Sequence, residues 1–248
     1  MARPSEEELA AAPHHFIACR SVTTPYNVFS YEQDAIDCIN RLFLNHEHVI
    51  AVGGSGLYIE ALCNGIALLP DPDPELRHRL QQMLRNEGVE SLRAMLRTVD
   101  PDYYRQVDLA NGVRIQRALE VSLTAGRPYS QVVQQPRRKR PFDIETIVID
   151  RDRDELRQRI NRRVDIMMSQ GLEDEARRLY PLRQLNTLNT VGYKEFFTLW
   201  DTVGTPFPLD ESQRTQIADA IRLNTWHYAK KQLTWLKKFT RTLADQQA

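Results

Sequence analysis

Apolar side chains recur at every third or fourth position along much of this chain, and this period predicts amphipathic helices. Residues 34–44 show it clearly, with Ala35, Ile39 and Leu42 on one side. Near the C-terminus, Asp210 and Gln213 have the spacing of a capping box, which predicts that a long helix begins there. The complete set of predicted helices covers residues 6–12, 34–44, 57–66, 74–86, 89–98, 113–125, 154–180 with a break at Gly171, and 210–243.

Two short runs have the other pattern, a continuous series of apolar and β-branched residues. Residues 48–52 and 145–149 each predict a buried strand. Three glycines follow the first run, at Gly53, Gly54 and Gly56, and they allow a tight turn that comes close to a ligand. A helix that begins after such a turn directs its free N–H groups at an anion. A plain tight connection between strand and helix fits this turn equally well.

The order of these elements predicts an α/β fold with a parallel sheet and a helical insert. The connector at residues 69–75 contains three prolines and cannot stay helical. We therefore predict that residues 71–142 form an inserted helical subdomain. Residues 1–70 and 143–248 would form the α/β core with the C-terminal helices.

The composition limits which cellular compartment and which binding partners fit this protein. The 248 residues include 33 basic and 33 acidic side chains, so net charge predicts no nucleic-acid partner. Two basic stretches, residues 137–140 and residues 222–241, permit RNA binding without establishing it, because such runs are usually solvated faces. Three cysteines without metal-ligand spacing, and no apolar run of membrane-spanning length, predict a cytoplasmic protein with no membrane partner and no zinc site.

A series of motifs in fixed order resembles the tRNA dimethylallyltransferase family, and it extends over nearly the whole chain. The glycine turn, VGGSGLY at residues 52–58, resembles the family's GGTGLY motif with Ser55 in place of threonine. The other matching segments are ARPS at 2–5, PHH at 13–15, DPELR at 73–77, RIQRALEV at 114–121, GRP at 126–128, residues 156–165, GL at 171–172, VGYKE at 191–195, and residues 224–235.

The resemblance implies a fold, a reaction and partners. The fold would be a P-loop NTPase-like parallel sheet core, incomplete at its N-terminal side, with the helical insert holding the anticodon stem-loop of tRNA. The reaction would move a dimethylallyl group from dimethylallyl diphosphate to N6 of the adenosine beside the anticodon, with Mg²⁺ as cofactor. The adenosine would have to leave the stacked loop. A monomer is expected.

The resemblance also assigns roles to residues. Arg163 matches the arginine that contacts the diphosphate, with Arg159, Gly53 and Gly54 beside it; Ser55 and Arg163 would act at the reaction centre. A guanidinium offers forked donors to phosphate oxygens. The residues implied to bind tRNA are Ser55, Arg77, Val113, Arg114, Ile115, Gln116, Arg117, Val191, Gly192, Tyr193, Lys230, Lys231, Gln232, Thr234 and Trp235. For Arg114 and Arg117 an exposed helix face is the alternative.

The chain departs from the family pattern in several places. It contains no GxxxxGK[ST] loop and no match to the general-base aspartate, and it has Ala18, Asn111 and Trp226 where the family usually has Asp, Asp and Arg. We therefore expect little or no prenyl transfer. A shortened chain, a gene start placed too late and a degenerate paralogue would each explain this. The alternative function is a catalytically silent tRNA-binding paralogue.

Overall fold

The computed structural model describes residues 4–71, 73–134 and 138–247, and the side-chain surroundings up to residue 240. Ala2, Arg3, Pro72 and Arg137, and the predicted end of the insert near Pro136, lie outside the described residues. The α-helices are α1 (Glu6–Ala11), α2 (Val28–Leu42), α3 (Gly56–Asn64), α4 (Pro74–Asn86), α5 (Val89–Val99), α6 (Pro101–Tyr104), α7 (Gly112–Ala125), α8 (Tyr129–Val132), α9 (Arg153–Ser169), α10 (Leu172–Leu179), α11 (Lys194–Asp201) and α12 (Glu211–Gln247), with 3₁₀ helices at Tyr180–Leu182 and Asn186–Leu188.

The helices predicted from periodicity are confirmed, and their ends follow from local capping. The backbone N–H of Asp210 donates to Gln213 Oε1 (3.1 Å) while the N–H of Gln213 donates to Asp210 Oδ1 (2.8 Å), which confirms the capping box of α12. Gly171, with φ of 91°, separates α9 from α10. Helix α2 begins earlier than predicted, at Val28, because the side chain of Asn27 accepts from the N–H of Ser30 at 2.9 Å.

The two predicted strands are not confirmed in the part of the chain that the structure describes. Residues 48–52 and 145–149 lie there without regular structure and without strand pairing. Ile50 is 87% exposed and Val52 90%, and Ile147 is 81% exposed. A strand needs a neighbouring strand for its N–H and C=O groups, and these segments have none among the described residues. The predicted parallel sheet is therefore not confirmed.

The chain divides into two compact units. Unit 1 consists of Met1–Tyr26, Gly54–Gly56 and Glu145–Ala248, and unit 2 of Asn27–Gly53 and Leu57–Ile144. The predicted insert, residues 71–142, lies inside unit 2, which also takes in residues 27–53 and 57–70. The predicted domain boundaries stay a prediction.

Unit 2 contains a core of three helices, which we call the three-helix cluster: α4, α5 and α7. Its buried residues are aliphatic and share helical spacing: Leu76, Leu80, Leu92, Leu96, Ile115, Ala118 and Leu119. Each fully buried leucine contributes about 2 kcal/mol through the hydrophobic effect. Gly112 lets α7 begin close to α4, because a Cβ there would lie 2.8 Å from Cδ1 of Leu84.

Unit 1 has a separate core in which aromatic residues of α11 pack against α9, α10 and α12. Phe196 and Trp200 are fully buried, and the indole N–H of Trp200 donates to the carbonyl of Phe207 at 3.1 Å. Ile217 and Ile221 contribute from α12. None of the helices searched among the described residues is both long enough and apolar enough to cross a lipid bilayer.

Candidate functional site

Several residues implied to bind tRNA meet at one buried carboxylate in the three-helix cluster. Glu120 of α7 accepts hydrogen bonds from Nε and Nη2 of Arg77 (both 3.1 Å), from Nε2 of Gln116 (2.8 Å) and from Nη1 of Arg117 (3.2 Å). We call Glu120, Arg77, Gln116 and Arg117 the Glu120 cluster. Its carboxylate side chain is 2% exposed, while the side chains of Arg77 and Arg117 are 44% and 36% exposed.

Local structure places these side chains. Asp73 caps α4 by accepting from the N–H of Glu75 at 3.0 Å, and Pro74 occupies the first turn. Arg77 therefore stands at the start of α4. On α7, Asn111 takes the capping position and accepts from the N–H of Arg114 at 3.1 Å, so this departure from the family pattern keeps the cap.

The charge state of Glu120 follows from its partners. Burial by itself raises the pKa of the Glu120 carboxyl, but hydrogen bonds from Arg77 and Gln116, the positive charge of Arg77 and the bond from Arg117 together hold it below its ordinary value. Glu120 is therefore ionised near neutral pH. The cluster carries two positive charges and one negative charge.

The predicted tRNA-binding run on α7 divides between solvent and core. Val113 is 73% exposed and Arg114 is exposed, whereas Ile115 has no exposed surface and packs in the three-helix cluster. A side-chain contact from Ile115 to RNA is thus not supported, because helical periodicity turns this position inward. Glu120 was not among the residues predicted from the sequence. Its spacing of four from Gln116 and three from Arg117 was the available signal.

The basic stretch 137–140 is also engaged within the protein, in the residues that the structure describes. Arg138 and Arg140 form ion pairs with Glu32 of α2, at 3.3 and 2.8 Å, and Glu32 is fully buried. Arg140 also donates to the carbonyls of Ala61 and Leu62. At least these two cations have an internal partner, so this stretch is not simply a solvated basic face.

The glycine turn, residues 53–56, contacts α12. Nε2 of Gln232 donates to the carbonyl of Gly54 at 2.8 Å, and a Cβ on Gly56 would lie 2.4 Å from Cδ2 of Trp235. The Trp235 ring stacks on Phe239 with 4.7 Å between ring centroids. Two residues implied to bind tRNA, Gln232 and Trp235, thus contact the turn itself.

The remaining turn residues are open to solvent. A Cβ on Gly53 would meet no atom within 4 Å, and Ser55 is exposed immediately before α3. On α12, Lys230, Lys231 and Thr234 are also exposed. Packing against the Trp235 ring is therefore a sufficient reason for glycine at position 56, whereas a Cβ at position 54 would meet only the flexible end of the Gln232 side chain and one at Gly53 would meet nothing.

The arginines predicted to bind the diphosphate lie on α9. Arg163 is exposed and has no hydrogen bond or ion pair with any residue that the structure describes. Arg159 is 61% exposed and pairs with Glu155 at 2.8 Å. On the same helix, Arg157 lies over the ring of Trp226, 4.9 Å from its centroid. Arg163 is therefore free to bind an anion, whereas Arg159 would first have to exchange a partner.

The VGYKE segment has a structural role. Gly192 adopts a φ of 104° and its N–H donates to Glu195 Oε2 at 2.8 Å, while Asn224 of α12 donates to Glu195 Oε1 at 2.7 Å. Val191 and Tyr193 are partly buried against the core of unit 1. Burial raises the pKa of the Tyr193 hydroxyl, and the charge of Glu175 adds to this. Two separate motifs, at 191–195 and 224–235, thus meet through Glu195 and Asn224.

Metal-binding side chains are not clustered in the described residues. These residues contain no group of three or more His, Cys, Asp or Glu side chains that could hold a metal ion. The described residues by themselves therefore do not form a complete metal cage.

Comparisons with known proteins agree on one family. A family model described as IPP transferase matches residues 1–239. A tRNA dimethylallyltransferase of Christiangramia forsetii is 43% identical over 235 residues, which cover 95% of this chain and 75% of that protein. The tRNA dimethylallyltransferase 2 of Porphyromonas gingivalis is 42% identical over 237 residues, covering 96% and 76%.

Solved structures show the same likeness. The full-length tRNA isopentenylpyrophosphate transferase of Bacillus halodurans superposes with a TM-score of 0.60 at 29% identity, covering 95% of this chain and 72% of that one. A eukaryotic dimethylallyltransferase acting on tRNA superposes with a TM-score of 0.66 at 21% identity, covering 94% and 58%, and indicates the fold alone. The match over residues 1–239 and the identity to relatives across most of their length lead to one conclusion: the chain belongs to the IPP transferase family.

Proposed function

We propose that this protein modifies tRNA by transferring a dimethylallyl group from dimethylallyl diphosphate to N6 of the adenosine beside the anticodon. The observation that carries the proposal is the family match over residues 1–239, together with relatives named tRNA dimethylallyltransferase at 42–43% identity. In this reaction a bond forms between N6 and C1 of the dimethylallyl group, the bond from C1 to the diphosphate oxygen breaks so that diphosphate leaves with the electron pair, and N6 releases a proton to water.

The arginine Arg163 is our candidate for binding the diphosphate. Its guanidinium is exposed and has no partner among the described residues, so binding an anion would break no existing ion pair. Ser55 is our candidate for a hydroxyl near the reacting adenosine. It is exposed beside the first turn of α3, where free N–H groups favour negative charge.

Mg²⁺ belongs to the proposal as an ion that accompanies the diphosphate. Mg²⁺ usually binds through substrate phosphates with one or two carboxylates and keeps several waters. The absence of a three-residue ligand group from the described residues means that they offer no complete cage. None of the roles proposed for Arg163, Ser55 or the Glu120 cluster depends on the ion.

We assign contacts with the anticodon stem-loop in each unit separately. They are Arg77, Arg114 and Arg117 in the three-helix cluster of unit 2, and Lys230, Lys231 and Thr234 on α12 of unit 1. These side chains are at least partly exposed, and lysine and arginine supply the phosphate contacts that dominate affinity for nucleic acids. A second candidate function is tRNA binding without transfer. It requires only the exposed arginines and lysines named above and no diphosphate site.

Incubation of the 248-residue chain with unmodified tRNA, dimethylallyl diphosphate and Mg²⁺ separates the two candidates. Isopentenylated adenosine, detected by mass spectrometry of the digested tRNA, supports transfer, and it would contradict the expectation of little or no prenyl transfer by these 248 residues. Salt-sensitive binding of the anticodon stem-loop without product supports the silent binder. If the chain neither binds nor modifies tRNA, both candidates are wrong.

The role of Arg163 has a test that does not need turnover. In Arg163→Ala we expect binding of inorganic pyrophosphate to weaken about tenfold or more, because a hydrogen bond between charged groups contributes about 1.5–3 kcal/mol. Arg162→Ala is the matched control, since Arg162 is an exposed neighbour on α9 to which no role is assigned. Equal affinity in both variants, measured by calorimetry, would show that Arg163 does not bind the diphosphate.

A further inference from the structure

The Glu120 cluster combines a buried acceptor with exposed donors. Glu120 is covered by protein, while Arg77 and Arg117 reach solvent above it. Arg77 uses Nε and Nη2 on the carboxylate and Arg117 uses Nη1. A guanidinium has five N–H donors. In the part of the chain that the structure describes, Nη1 of Arg77 and both Nε and Nη2 of Arg117 have no protein partner.

This arrangement reduces the entropy lost when the arginines bind another group. A free arginine side chain loses rotamer entropy when it is held in one conformation. The two parallel bonds between Arg77 and Glu120 hold that guanidinium already, and the charge of Glu120 offsets the repulsion between Arg77 and Arg117. One net positive charge remains on the cluster, and it is carried by the exposed side chains.

We propose that Glu120 is a positioning residue for RNA binding, which orders the guanidinium groups of Arg77 and Arg117 toward the phosphates of the anticodon stem-loop. This inference rests on the proposed function and assigns a role to a residue that does not itself reach the RNA. The buried Glu120 carboxylate repels RNA only weakly, because it lies at a distance from the RNA. It also orients Arg77 and Arg117, the two cations that attract the RNA.

A second buried glutamate offers a matched control. Glu173 of α10 accepts from Arg177 Nη2 at 2.6 Å, from Arg214 Nε at 2.9 Å and from the N–H of Leu209 at 3.1 Å. Its side chain is 11% exposed, and neither arginine belongs to the residues assigned to tRNA. Glu120→Gln and Glu173→Gln therefore remove the same charge from similar surroundings. Only Glu120 contacts arginines that are proposed to bind RNA.

The experiment measures binding of an unmodified anticodon stem-loop RNA to both full-length variants over a range of salt concentrations, after thermal unfolding has shown that they are folded at the assay temperature. For Glu120→Gln we expect affinity to fall about tenfold, equivalent to about 1.4 kcal/mol, with a shallower dependence on salt. For Glu173→Gln we expect wild-type affinity or slightly tighter binding. Removing a negative charge would by itself strengthen RNA binding, so unchanged or tighter binding by Glu120→Gln overturns the proposal.

Two further variants test whether Glu120 acts through the arginines. In the Arg77→Ala/Arg117→Ala background, adding Glu120→Gln should cause no further loss of affinity, since the groups that it orients are gone. A further loss would overturn the inference. If Glu120→Gln does not fold, Arg77→Lys replaces it: the charge stays but the two parallel bonds to Glu120 cannot form. Weaker RNA binding supports positioning, and wild-type binding overturns it.

The outcomes also distinguish this inference from the function on which it rests. If the wild-type chain does not bind the stem-loop, the proposed function fails and the positioning role fails with it. If the wild-type chain binds but Arg77→Ala/Arg117→Ala binds equally well, the proposed function stands and the positioning role alone is wrong.

Discussion

The three-helix cluster and residues 48–56 differ in whether their backbone groups and apolar side chains find partners within the same region. The cluster forms every helix that its pattern predicts and buries Leu80, Leu92 and Leu96 completely. Residues 48–52 have an equally apolar pattern, yet they form no strand in the structure and leave Ile50 and Val52 in solvent. A helix satisfies its backbone within one segment, whereas a strand depends on another segment.

The two regions also differ in how they hold candidate functional groups. In the three-helix cluster a buried carboxylate orders arginines from two helices. At the glycine turn, side chains of α12 hold the backbone in place: Gln232 donates a hydrogen bond to the carbonyl of Gly54, and the ring of Trp235 packs against Gly56. A substitution in either region should therefore act by disturbing these contacts.

The largest effect is expected for Leu80→Ala. Leu80 is fully buried in the three-helix cluster, and truncation of such a leucine costs about 2–5 kcal/mol of unfolding free energy because it leaves a cavity. Urea unfolding followed by far-ultraviolet circular dichroism measures this loss. A change below about 1 kcal/mol would mean that the three helices do not pack as described.

A smaller loss is expected for Gly56→Ala, in which the new methyl group would overlap the Trp235 ring. Forcing extra atoms into a packed contact costs about 1–3 kcal/mol. At an uncrowded helical site, alanine would instead stabilise by up to about 1 kcal/mol relative to glycine. Unfolding free energy and the tryptophan emission maximum measure the change.

Gly53→Ala is the matched control for this prediction, since a Cβ there meets no atom within 4 Å. It should leave both the stability and the emission maximum close to those of the wild type. Trp235→Ala should remove most of the penalty of Gly56→Ala, because it removes the ring that the methyl group meets. A Gly56→Ala protein as stable as the wild type would contradict the contact between the turn and α12.

The smallest effect is expected for Ile50→Ala, which tests directly whether residues 48–52 are exposed or buried. Ile50 is 87% exposed, so unfolding free energy should change by no more than about 0.5 kcal/mol. In a buried strand the same truncation would cost about 2–5 kcal/mol. A loss of that size in urea unfolding would show that residues 48–52 are buried in solution and that the strand prediction was correct.

The sequence alone determined the longer helices and much of the family assignment, whereas α6, α8 and α11 were not predicted. Helix ends depend on neighbours a few residues apart, such as Asp73 with Pro74 and Asp210 with Gln213, and such signals can be read directly from the chain. The ordered motifs indicated the family, which the comparisons confirmed. The spacing of Gln116, Arg117 and Glu120 also puts these three side chains on one face of a helix, although Glu120 was not among the residues predicted to act.

Only the tertiary structure decided which distant groups meet. Arg77 reaches Glu120 across 43 positions, and Gln232 reaches Gly54 across 178. It also decided that Ile115 faces the core while Val113 faces solvent, and that residues 48–52 have no strand partner among the described residues. The physical reason is that a helical hydrogen bond joins residues four apart, whereas ion pairs, close backbone approaches and strand pairs depend on how separate segments pack.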